Sequence, residues 1–315
     1  MKQRLIFKYI IISALFVLVL LIMLLFSKRN IENYDYYEKY KNVKKVCIVW
    51  HNKIDKDKDK AIEYFGFGDN LRGAIYIYRF FKNINPDIDI MVDGTHDICG
   101  DILQNVTTPY SDQIKTVNIN YLLQCGEEKM ENLIIEKDNT IFIYTNLQID
   151  SNQILSNDEK EFAKFICEPK DNIKTEINEK IQKLPNGFTV KHVRFNDEIF
   201  KKDIKIGEPI FQKMFEKLKQ DYLPTDILIT NSNNFTKYAN DKLNIQYIDC
   251  NNEICNVGHI GQSNNYEIIK NSYIEFCIIG KSKQIKSYTV YGWPSNFVFW
   301  TSLIYDIPFN SIENL

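Results

Sequence analysis

Two hydrophobic patterns divide the chain. Residues 9–26 (YIIISALFVLVLLIMLLF) carry no charge and are apolar on every helical face. With residues 5–7 the apolar stretch covers 5–26, interrupted only by Lys8, which can snorkel. At ~1.5 Å per residue, a run near twenty spans a ~30 Å hydrocarbon core. A cleaved signal peptide has a shorter apolar region and a small-residue cleavage site, and LIMLLFSKRN offers neither. The pattern therefore predicts an N-terminal membrane anchor over residues 1–30, in contact with the membrane through 5–26. A polar, aromatic stem is expected over 31–43.

Beyond the stem, strand-like and helix-like periods alternate. Strands are predicted near 46–50, 88–92, 117–119, 140–144, 188–195, 226–230, 245–248 and 287–291. Helical spacing marks 71–81, 121–135, 209–219, 235–243, 266–276 and 296–305, and the charged stretch 158–183 reads as one or two solvated helices. Two such runs predict an α/β protein with two domains of mostly parallel sheet, over 44–170 and 171–315. Ligands of such folds sit at the carboxyl ends of the strands, here in a cleft between the domains.

Charge and cysteines narrow the picture. Lys2, Arg4 and Lys8 precede the apolar span and Lys28 and Arg29 follow it, which predicts a type II, single-pass protein with its body in a lumenal (ER/Golgi-like) or extracytoplasmic space. The sequons at Asn105 and Asn234 suit such a body, but such triplets also arise by chance in an asparagine-rich chain. The 39 basic and 41 acidic residues leave no positive excess to displace counterions, so no nucleic-acid partner is expected. Seven scattered cysteines show no zinc spacing; Cys250 and Cys255 suit either a local disulfide or unpaired apolar packing.

Three segments carry candidate chemistry. In Gly66-Phe67-Gly68-Asp69-Asn70-Leu71-Arg72-Gly73 two glycines precede a helix, whose free N–H groups form an anion site. Asp69 is equally read as an N-cap and Arg72 as an exposed side chain. In Lys191-His192-Val193-Arg194-Phe195-Asn196-Asp197 an arginine just past a strand can hold a diphosphate, or else pair with Asp197 or Glu198. His192 reads as a packed core histidine more readily than as a base. At the C-terminal end, Ser295 and Asn296 open a helix after a strand, as N-caps or as a phosphate site.

In order and spacing these segments resemble the fucosyltransferase superfamily of two-domain GT-B glycosyltransferases, which includes protein O-fucosyltransferases and the α1,6- and α1,2-fucosyltransferases. A weaker fourth element, Ile227-Leu228-Ile229-Thr230-Asn231-Ser232, is similar to the family's strand ending in small polar residues. The resemblance spans about residues 45–308. It implies two Rossmann-like domains and an inverting, metal-independent transfer of fucose from GDP-fucose to a hydroxyl of a glycan or glycoprotein, with no cofactor beyond the donor. Under it Arg194 neutralises the β-phosphate, and Gly66, Gly68, Asn70, Arg72, His192, Thr230, Ser232, Ser295 and Asn296 hold the donor. The resemblance names no base here, and Asp69 or Asp197 is the acid expected to take the proton. The chain departs from the family pattern at Phe195, where many relatives have a second arginine, and at Phe67, where one branch has a glutamate base. Another nucleotide-sugar donor, a non-catalytic glycan- or partner-binding protein on the same fold, and a structural membrane protein with an unrelated α/β body are the alternatives.

Overall fold

The structure, a computed structural model, describes residues 36–50, 66–123, 130–148, 154–200, 202–250, 253–255, 257–258 and 265–315. The expected membrane segment 5–26 lies outside the described residues. Among the described residues no helix is long and apolar enough to cross a membrane.

The first half runs β1 (Lys45–Val49), α1 (Phe67–Ile84), β2 (Asp89–Asp93), α2 (Ile98–Ile102), β3 (Ile119–Leu122) and β4 (Thr140–Thr145). These strands form one parallel sheet in the order β2-β1-β4-β3. Every residue of β4 is buried, as expected of a parallel strand covered on both faces. Helices α3 (Asn157–Ile166) and α4 (Asp171–Gln182) lead to the second half. A capping box starts α3: Ser156 and Glu159 each satisfy the other's backbone N–H. The two helices are not merely solvated, because Phe162, Ala163, Ile166, Ile173 and Ile177 form a buried stripe.

The second half runs β5 (Thr189–Arg194), α5 (Pro209–Asp221), β6 (Asp226–Thr230), α6 (Asn233–Leu243), β7 (Gln246–Tyr247), the antiparallel pair β8 (Asp249–Cys250) and β9 (Glu253–Ile254), α7 (Tyr266–Ile279), β10 (Gln284–Thr289), α8 (Asn296–Ile304) and β11 (Phe309–Ile312). Its parallel sheet has the order β11-β10-β5-β6-β7. From β5 the chain winds outward to β6 and β7, then returns to place β10 on the other side. The order of strand addition therefore reverses between β5 and β10, and a crevice opens at their carboxyl ends. A Cys250–Cys255 disulfide closes the β8–β9 turn.

Helix α8 crosses back onto the first half and packs on α1 and α3. The contact with α1 is so close that a Cβ on Gly68 would stand 2.7 Å from the Asn296 backbone carbon. One turn along, a Cβ on Gly73 would stand 2.2 Å from the Thr145 carbonyl oxygen. Both glycines are thus required by helix packing. At the start of α1, Phe67 sets its ring edge-on to Trp50, Tyr273 and Phe276, with centroids 5.9, 5.5 and 4.9 Å away. This cluster joins the two halves into one apolar core.

Three expectations need correction. Residues 121–135 are not helical where described: Tyr121 and Leu122 belong to β3, and only Met130–Asn132 form a 3₁₀ turn. Asn120 explains this, because its side chain binds the Ile134 N–H (2.8 Å) and the Phe142 carbonyl (2.9 Å) and pins that segment beside the sheet. The later part of the expected stem belongs to the body. Residues 36–40 are helical, and Tyr40 is fully buried against Phe80 and Phe81 with its hydroxyl on the Met130 carbonyl. Finally, β11 was not anticipated, and the strand expected at 287–291 lies at Gln284–Thr289.

Candidate active-site cleft

The crevice at the carboxyl ends of β5 and β10 widens into a cleft of about 290 Å³, closed on the far side by the start of α1. Nine of the sequence-predicted residues line it: Gly66, Gly68, Asp69, His192, Arg194, Asp197, Thr230, Ser295 and Asn296. Strand alternation sorts the β5 motif. His192 and Arg194 face the cleft, while Val193 and Phe195 pack into the second apolar cluster, where Phe195 meets Phe235 at 5.3 Å. A residue at position 195 therefore points away from any ligand in the cleft. Phe67 is a core residue, 1% exposed, at the edge of the cleft lining.

Two helices begin at this cleft, α1 behind Gly66 and α8 behind Ser295. Neither cap residue donates a side-chain acceptor to its own first turn. Their leading N–H groups and positive dipole ends remain available to an anion. Arg194 adds a full charge between them. Its guanidinium is paired with Asp197 and lies 5.0 Å from the Phe200 ring centroid. Burial pushes its pKa down and Asp197 pushes it back up, and an arginine remains cationic under such opposing influences.

His192 is buried and its Nδ1 lies 3.0 Å from the Ser287 hydroxyl. Burial, reinforced by the Arg194 charge, pushes its pKa down to about 3, so the ring is neutral at pH 7 and a poor proton acceptor. Asp69 is held differently. Its Oδ1 accepts from Asn296 Nδ2 at 2.9 Å and sits 3.3 Å from Arg72 Nη2. One carboxylate thus ties the starts of α1 and α8 together.

Three predicted residues do not reach the cleft. Arg72 is buried, donating to the Asn146 carbonyl (2.9 Å) and to Gln148 (3.2 Å), so it braces Asp69 and the segment after β4. Asn70 lies on the buried face of α1. Ser232 is fully buried, accepts from the Phe235 N–H as the cap of α6, and donates to Asp203 at 2.6 Å. Each is a structural residue in this fold.

Two cleft residues escape the sequence reading. Glu275, on α7, faces the cleft in an apolar setting, and burial pushes its carboxyl up to about 8 against a weak pull from Lys180. The available signal was a lone acid inside the run Tyr273-Ile274-Glu275-Phe276. Trp293 is the second, and nothing in its local pattern distinguishes it from a surface residue. Among the described residues no group of three or more His, Cys, Asp or Glu is arranged to hold a metal ion. Asp89 of the Asp87-Ile88-Asp89 triplet opens β2.

No protein-family model and no curated protein matches this chain. Among solved structures, the chain is similar to the α-1,6-fucosyltransferase NodZ co-crystallised with GDP (10% identity, 82% of this chain and 92% of that one, TM-score 0.47), a protein also solved from Bradyrhizobium. It is also similar to Arabidopsis thaliana FUT1 in complex with GDP (10% identity, 88% and 74%, TM-score 0.47). A third similar structure is POFUT1 in complex with GDP-fucose (10% identity, 89% and 78%, TM-score 0.33).

Proposed function

We propose that the protein is a glycosyltransferase that moves fucose from GDP-fucose to a hydroxyl of a glycan or glycoprotein, with inversion and without a metal. The observation that carries this reading is the convergence of Arg194 and two uncapped helix starts on one cleft. That is a site for a diphosphate. As the bond from the anomeric carbon to the phosphate oxygen breaks, its electron pair goes to the β-phosphate. Arg194 and the α8 N–H groups neutralise that charge where it develops, each such donor contributing on the order of 10²–10³ in rate. The acceptor oxygen forms the new bond from the opposite face of the sugar, and its proton passes to Asp69. Arg72 and Asn296 orient that carboxylate.

Glu275 supplies the base preference in this reading. Guanine presents two adjacent donors, N1–H and N2–H₂, which a carboxylate accepts as a pair. Uracil and adenine lack that pair. The cleft-lining Gly66, His192, Arg194, Ser295 and Asn296 support the same donor. Residues 5–26 anchor the chain as a type II membrane protein, with the body on the lumenal or extracytoplasmic side. The Cys250–Cys255 disulfide fits that oxidising setting.

The test is GDP release from GDP-fucose by the full chain, measured with and without a panel of glycan acceptors. Acceptor-dependent release that falls at least ~10²-fold in Arg194→Ala is the expected result. Release that Arg194→Ala leaves intact overturns the assignment.

A further inference from the structure

At one end of the cleft lies an aromatic surface for which the diphosphate account has no use. Trp293 is 62% exposed and lines the cleft. It is not a loose side chain: its indole stacks on the Tyr291 ring at 5.4 Å between centroids, with the planes 19° apart. Tyr291 is itself fixed, its N–H on the Thr289 hydroxyl (3.2 Å) and its carbonyl accepting from the Asn314 N–H (2.9 Å). One face of the indole is therefore backed and the other is open.

Contacts along its lining divide the cleft into two ends. Glu275 lies one turn from Ser272, whose hydroxyl holds the Gly258 backbone at 3.0 Å, and that is the nucleobase end in the reading above. Tyr291 instead belongs with Arg194 and Asp197: burial pushes its phenol up, followed by the nearby Asp197 charge. Trp293 follows Tyr291 and so flanks the end where the sugar bond breaks. On the same side of the cleft, near Tyr291, stands the half-exposed carboxylate of Asp197, which pairs with Arg194 and can accept from a hydroxyl. An open π-face with an acceptor on the same side of the cleft matches a pyranose, whose axial C–H groups carry slight positive charge and whose edge carries hydroxyls.

Resting on the glycosyltransferase reading, we propose that Trp293, backed by Tyr291, is the acceptor platform, and that the acceptor is a glycan whose pyranose ring stacks on the open indole face. The reactive group is then a sugar hydroxyl and not a serine or threonine of an extended polypeptide.

The chain reports on this by itself. It has three tryptophans, and Trp50 and Trp300 are only 2% and 3% exposed, so acrylamide quenching reads Trp293. The full chain is titrated with chitotetraose, cellotetraose, N-acetyllactosamine and a serine/threonine-rich peptide, each with and without GDP. At least one oligosaccharide should lower the quenching constant about twofold or more. In Trp293→Ala that oligosaccharide should bind about tenfold more weakly, with partial recovery in Trp293→Phe, while GDP still stabilises both variants against heat. Shielding by GDP alone, shielding only by the peptide, or no shielding by any sugar overturns the platform. The two readings fail separately. A folded chain that GDP does not stabilise but whose indole a sugar shields breaks the nucleotide reading and keeps the platform.

Discussion

Asp69 and Glu275 are two carboxyl groups on one cleft, and their surroundings could hardly differ more. Asp69 stands at the start of α1 beside Arg72, with Asn296 donating to it across the junction of the two halves. Glu275 lies on α7, and burial pushes its carboxyl up to about 8 against the pull of Lys180. A carboxylate braced by a cation and an amide is held in one orientation. A desolvated one waits for donors to stabilise its charge. The difference separates a proton acceptor at the reacting end from a recognition group at the base end.

Asp69→Asn is the sharpest way to break this comparison. Loss of a positioned proton acceptor should lower kcat by on the order of 10²–10⁴-fold while GDP still binds, as read by steady-state kinetics beside calorimetry. Equal loss of both would make Asp69 a donor ligand. Glu275→Gln should do the reverse. GDP affinity should fall about tenfold, equivalent to ~1.4 kcal/mol, and the preference over UDP should shrink, with a smaller change in kcat. Calorimetric titration of GDP and UDP into the two proteins checks it.

Gly68→Ala disturbs the brace without touching either carboxyl. The added methyl meets the Asn296 backbone, so the α1–α8 junction must open, at a cost of about 1–3 kcal/mol in unfolding free energy measured by denaturant titration. Because Asn296 holds Asp69, kcat should fall with stability. The smallest effect is the pH dependence of binding. In the free protein Glu275 keeps its proton up to about pH 8, and guanine's two N–H groups favour the ionised form. Binding therefore releases a proton below that value, and GDP affinity rises with pH until about 8. The same raised value makes folding less favourable as pH climbs from the ordinary carboxylate range toward 8, since the unfolded chain ionises first. Glu275→Gln should remove both slopes.

The parts legible in the sequence are those that local rules decide. Period-2 alternation placed His192 and Arg194 at a strand end, and a helix start after a strand identified Ser295 and Asn296. Other parts depend on which elements meet. Nothing local says that Arg72 turns back to the Asn146 carbonyl, or that Ser232 is consumed in capping α6. Gly68 reads as room for a ligand until α8 is seen resting on it. Phe67 and Phe195 read as departures from a catalytic pattern, yet both are core residues whose neighbours come from distant segments. Glu275 carries a single unusual feature, an acid inside an apolar helix, and only burial gives that feature meaning.

The most direct measurement is thermal stabilisation of the full chain by GDP, with UDP and ADP as controls, in wild type, Arg194→Ala and Glu275→Gln. Ligand at ~100 times its Kd adds about 2.7 kcal/mol of stability, a readily detected shift in Tm. The predicted result is stabilisation by GDP well above that by UDP or ADP, abolished in Arg194→Ala and reduced with loss of guanine preference in Glu275→Gln. Equal shifts with all three nucleotides, or none with GDP on a folded sample, would contradict it.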